Sequence, residues 1–107
     1  MSSNSAQKSD PPVFIKLLSV STAHITKEDN QTLLSDDQDA CGDLMFDSFE
    51  YGYYVYLPSD IQSLAEMDFP FSNAFMILLQ WAMQQGATCI KLDCDGEKYS
   101  QLPEFEW

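Results

Sequence analysis

The residues able to do chemistry in this 107-residue chain are few, and they stand in three places. The single histidine, His24, lies in STAHITKED, close in sequence to Thr22, Thr26, Glu28 and Asp29. A histidine beside carboxylates could act as a general base. No serine or cysteine stands in a nucleophile context such as a G-x-S-x-G elbow, and the four glycines are scattered singly, so no phosphate-cradling loop is present. The stronger expectation is a structural His24, bonded to a backbone or hydroxyl group. The segment LDCDGEKY echoes the start of a calcium loop through Asp93, Asp95 and Gly96. However, the glycine comes two positions too early and no helix precedes it. Asp95-Gly96 reads more simply as a two-residue hairpin turn. The three cysteines, Cys41, Cys89 and Cys94, form no C-x-x-C pair and read as reduced thiols in or near a core. No catalytic residue, metal or cofactor is therefore expected, and the chain reads as a non-enzyme.

The third place is the largest. Asp36, Asp37, Asp39, Asp43, Asp47 and Glu50 fall within fifteen residues, rising from a loop into a strand. Glu66, Asp68, Asp93, Asp95 and Glu97 could extend the field, as could Glu104 and Glu106. The whole chain carries 17 acidic residues against five lysines and no arginine, for a net charge of -12. Phosphate and base recognition lean on arginine, so direct nucleic-acid binding is disfavoured, as is an anionic membrane surface. A basic protein partner is favoured through long-range steering. Carboxylates two apart on a strand stand about 6.6 Å apart on one face. That spacing is comparable with phosphates along a nucleic-acid strand, so the run is a candidate mimic that would occupy a basic DNA-binding groove.

The elements that must hold these groups are organised around SNAFMILLQWAMQQG, residues 72–86. Phe75, Leu78, Leu79 and Ala82 recur at i, i+3, i+4 and i+7, the core face of a helix, with Ser72 or Asn73 as its cap and Gly86 as its left-handed terminator. Met76, Trp81 and Met83 form a second stripe. With Tyr54, Tyr56 and Trp107 they are a second candidate interface, apolar and insensitive to salt. Residues 1–12 read as a disordered lead, and Val13–Val20 as a buried central strand. A capping box formed by Thr26 and Asp29 opens a short helix to about Leu34, and 35–43 reads as a loop. Two strands follow, 44–49 and 53–57, then a short helix capped by Ser59. After the main helix, Ala87–Leu92 is a strand, and Glu97–Ser100 is expected to return antiparallel to it. The apolar tail residues Leu102, Phe105 and Trp107 are expected to fold back. The order β-α-β-β-α-α-β-β predicts one α+β domain over 13–107. It is a two-layer sandwich, with a mixed or antiparallel sheet of about five strands and helices mainly on one face, related to a split βαβ plan.

Several of these pieces (STAHIT with EDNQTLL, YGYYVYLP, FSNAFMILLQWAMQQG, and IKLDCDG with LPEFEW) together resemble a functionally uncharacterised family of short acidic proteins and domains associated with bacterial plasmids and other mobile elements. The match spans most of residues 19–107 and assigns no role to any residue. It implies a bacterial, cytoplasmic setting on mobile DNA. Small, very acidic proteins there often blunt host defence by blocking a nucleic-acid-binding enzyme, of the anti-restriction or anti-CRISPR type. Such a partner would be bound by a monomer or a homodimer.

Overall fold

The structure, a computed structural model, describes residues 16–35 and 37–107. The expected lead of residues 1–12, the first part of the expected 13–20 strand, and Asp36 lie outside the described residues. Strands β1 (Leu17–Ser21), β2 (Met45–Phe49), β3 (Gly52–Tyr56) and β4 (Cys89–Asp93) form one four-stranded sheet in the order β1-β4-β3-β2. β4 is parallel to β1 and antiparallel to β3, and β3 is antiparallel to β2. The fold is thus α+β with a mixed sheet. β1 and β2 lie at opposite edges with two strands between them, which departs from a split βαβ unit and puts β1 at an edge where a central strand was expected.

The helices are α1 (Lys27–Ser35), α2 (Gln38–Cys41), α3 (Ile61–Glu66) and α4 (Asn73–Gln84), with a 3-10 turn at Thr22–His24. α2 is one turn inside the stretch read as a loop. It forms because Asp37 caps it, its side chain accepting from Asp39 N. α3 is capped by Asp60 through Ser63 N at 2.7 Å, one residue later than expected. The caps of the other two helices follow the sequence. Thr26 Oγ1 accepts from Asp29 N while Asp29 Oδ2 accepts from Thr26 N, each at 3.1 Å, a capping box closed by the shorter aspartate. Ser72 Oγ accepts from Phe75 N. α4 ends in a Schellman arrangement, with Gly86 N bonded to Met83 O and Ala87 N to Ala82 O, and Gly86 at φ 85°.

Phe75, Leu78, Leu79 and Ala82 of α4 are fully buried, and with Val20, Tyr53, Val55, Ile90 and Leu92 from the sheet they form the centre of the core. Phe69 and Phe71, on either side of Pro70, close over Phe75 with ring centroids 5.0–5.3 Å apart. Met76, Trp81 and Met83 are partly buried against the same core, and Trp81 stacks on Tyr99 at 4.8 Å. The second stripe is thus largely used inside the domain.

The expected strand 97–100 is absent: residues 97–99 are irregular and Ser100 begins a turn. β4 already has β1 on one side and β3 on the other, so no edge remains for a strand returning from Asp95-Gly96. The chain turns at Asp93, whose side chain accepts from Asp95 N, and then crosses β1, with Ser21 N donating to Glu97 O at 2.8 Å.

A candidate protein-interaction surface on the open sheet

Strand alternation divides the sheet in two. Val20, Tyr53, Val55, Ile90 and Leu92 point into the core. The opposite face is built of three cross-strand rows: Met45, Tyr56, Cys89 and Leu17; Asp47, Tyr54, Lys91 and Ser19; Phe49, Gly52, Asp93 and Ser21. Met45, Leu17 and Tyr56 are exposed by 66%, 51% and 42%. Phe49 lies against Tyr54 with centroids 4.8 Å apart, and Lys91 Nζ stands 5.5 Å over the Phe49 ring. The Tyr56 hydroxyl donates to Asp47 Oδ2 at 2.7 Å. That bond, with minor burial and the nearby negative charge, pushes the phenol above its ordinary range. Sequence reasoning found Tyr54 and Tyr56 but missed Met45, Phe49 and Lys91. Their signal was the alternation in MFDSF and CIKLD.

The acidic residues do not form the expected ladder. Among the described members of the 36–50 run, Asp47 is the one that stands on a strand. Asp43 precedes β2 and is tied to Asp68: Asp68 N donates to Asp43 Oδ2 at 2.6 Å and Asp43 N to Asp68 O at 2.8 Å. Asp37 and Asp39 belong to α2 and its cap, and Glu66 is bonded to Gln62 on α3. Glu50 sits in the β2–β3 turn. That turn lies beside Asp93 and Asp95, because Cys94 N donates to Tyr51 O at 3.1 Å. The carboxylates therefore gather at the two ends of β2, with Asp47 between, rather than at strand-residue spacing. Nearly all the described ones are exposed, Asp29 being buried and Asp93 half-buried. Among the described residues two ion pairs occur, Lys91–Asp93 at 3.8 Å and Lys98–Glu104 at 3.4 Å. Most of the negative charge is left uncompensated.

Ligand atoms of Asp93, Cys94 and Asp95 lie within 4.8 Å of one another. The turn itself accounts for this, since Asp93 bonds Asp95 N and pairs with Lys91. The Cys94 thiol is exposed, and its pKa is pushed up by burial from neighbouring atoms and by Asp95 and Asp93. That is the opposite of what an activated thiolate needs.

His24 is buried between backbone groups. Its Nδ1 donates to Pro103 O at 2.6 Å, and its Nε2 accepts from Tyr99 N at 2.9 Å. Both ring nitrogens are thereby consumed in holding the C-terminal segment, which also bonds through Phe105 N to Ala23 O at 2.7 Å and through Trp107 Nε1 to Ile25 O at 3.0 Å. Leu102 is buried beneath it. The tail folds back as expected, onto the 3-10 turn. Replacing His24 by alanine unpairs two backbone groups, and the expected loss is about 2 kcal/mol of stability. Hydrogen exchange at the Tyr99 and Phe105 amides should accelerate more than at β3. Unchanged exchange at those two amides would mean that His24 does not hold the tail.

The residues of the apolar candidate are dispersed. Tyr54 and Tyr56 lie on the open sheet face, Met76, Trp81 and Met83 on α4, and Trp107 beside a depression of about 270 Å³ at the end of the sheet, lined also by Leu34, Phe49, Tyr51 and Cys94. Among the described residues no helix is long and apolar enough to cross a membrane.

A four-stranded mixed sheet with helices packed on one face and an open, acid-flanked face on the other defines the domain as a small α+β sandwich. Its sequence matches the model of a family of unknown function, the DUF5983 C-terminal domain, over residues 17–107, and the chain belongs to that family. Comparison with curated proteins and with solved structures returns no match.

Proposed function

We propose that the domain is a non-enzymatic acidic interaction module that occupies the positively charged, nucleic-acid-binding surface of another protein. In the mobile-element setting that its motifs resemble, that partner is a host restriction or CRISPR effector met in the cytoplasm. The observation that carries this reading is the uncompensated charge: -12 overall, no arginine, and exposed carboxylates at both ends of β2. An enzyme centred on His24 is disfavoured because both ring nitrogens are committed to backbone groups. A second reading, an accessory module that binds through an apolar face, draws on the exposure of Met45, Leu17 and Tyr56.

The test is displacement of duplex DNA from restriction and CRISPR effectors of the host, at about 0.05 M and about 0.5 M salt. The acidic reading expects displacement at low salt that fades as the Debye length shortens. It also expects displacement to be lost when Asp36, Asp37, Asp39 and Asp43 are all changed to lysine. Undiminished inhibition by that variant would sink the acidic reading. Binding that ignores salt but fails on Tyr56→Ala would support the apolar one.

A further inference from the structure

We propose that the outer edge of β2 accepts an extended, basic segment of the partner as a fifth strand. The inference rests on the acidic-module reading and gives it a docking geometry. β2 ends the sheet order, and no described strand pairs with its outer side. In an antiparallel pair every second residue turns its N–H and C=O away from the partner, so β2 presents unused backbone groups to whatever lies beside it. The other edge of the sheet is occupied. Glu97 O accepts from Ser21 N, the Tyr99 hydroxyl donates to Ser19 O at 3.0 Å, and Gly96 lies so close to β1 that a Cβ there would come within 2.5 Å of Val20 O.

Charge selects the occupant. MFDSF contains no proline and no lysine, the usual guards of an exposed edge. Its only charge is Asp47, with Asp43 and Glu50 at its two ends. A second copy of this chain would bring those carboxylates, and two net charges of -12, against each other. A basic strand meets none of that repulsion. The rows of the open face also set a side-chain pattern. The incoming strand would extend the Met45 and Phe49 rows with apolar side chains. It would extend the Asp47 row with Lys or Arg, two residues from each apolar one, because directly opposed positions interact most strongly. The segment recognised is thus apolar-x-basic-x-apolar, in extended form.

The probe is a capped synthetic peptide in which Leu, Lys and Leu alternate with Thr, used with the full chain. Two further forms are N-methylated on one or the other set of alternate amides. The expected result is slowed hydrogen exchange at alternate amides within Met45–Phe49, with about tenfold weaker binding for one N-methylated form and little change for the other. Asp47→Lys should reverse the preference, binding the peptide with Glu in place of Lys. Equal, salt-dependent binding by both N-methylated forms would overturn the edge inference while leaving the acidic module standing. So would binding that slows no β2 amide, or no binding at low salt, since DNA displacement judges the module separately. Slowed exchange in β2 that depends on protein concentration without peptide would also overturn it, in favour of a second copy.

Discussion

Replacing Asp29 by alanine is expected to cost about 3 kcal/mol of folding stability, read as a fall in the urea midpoint at unchanged slope. The side chain is buried, with 3% of its surface exposed, yet it faces no cation among the described residues. Its charge is spread instead over donors at two helix starts. Oδ2 takes Thr26 N at the head of α1 and the Ser72 hydroxyl at 2.5 Å, and Oδ1 takes Ser72 N at 2.8 Å. Ser72 in turn caps α4 through Phe75 N. Alanine leaves the Thr26 cap in place but takes away the acceptor of the Ser72 hydroxyl, worth about 1 kcal/mol. It also leaves the Thr26 and Ser72 N–H groups without partners in a part-buried site, at about 1 kcal/mol or more each. Asn keeps the shape and one acceptor oxygen, so Asp29→Asn should fall between wild type and alanine. An alanine variant within about 0.5 kcal/mol of wild type, the range of an ordinary surface change, would show that the carboxylate does not join α1 to α4.

Gly52→Ala is expected to cost a similar amount, about 3 kcal/mol, for a different reason. β3 and β4 are the two central strands, and a Cβ at position 52 would meet the Leu92 carbonyl oxygen at 1.8 Å. That contact is with backbone, so no side-chain rotation relieves it. The start of β3 must move away from the end of β4, where Gly52 opposes Asp93. Gly86 is the natural control. It has open space around its Cβ position but a φ of 85°, so Gly86→Ala should cost only the left-handed penalty of about 1 kcal/mol. If Gly52→Ala proved no worse than Gly86→Ala in chemical denaturation, the close approach of β3 and β4 would be disproved.

What could be read from the sequence follows from the range of the interactions. The core face of α4, its Ser72 cap, its Gly86 terminator and the Thr26–Asp29 box depend on residues three to five apart, and all stand where the pattern put them. The β2–β3 pair was equally legible, since its partners adjoin along the chain. The role of His24 was half legible: a bonded, structural histidine could be expected, but Pro103 and Tyr99 are far along the chain. The strand expected at 97–100 failed on the same ground. Asp95-Gly96 favours a hairpin locally, but whether β4 has a free edge is decided by β1, through a pairing that no local signal announces. The acidic ladder failed because Asp43 prefers Asp68 N, and Asp37 and Asp39 build a helical turn. Spacing along a chain becomes spacing on a face only where the backbone stays extended.

The pairing of Leu17 with Cys89 also orders the assembly of the domain in time. β2 and β3 can meet as soon as their two-residue connection exists, and α4 can form from its own caps. β1 has no strand partner until a chain segment 72 residues further on has been made and placed beside β3. Closing that long loop is the entropically expensive step, and it makes the docking of β4 the natural barrier to folding. Substitutions at Ile90 and Leu92 should therefore slow refolding, whereas those in the His24-held tail should mainly hasten unfolding.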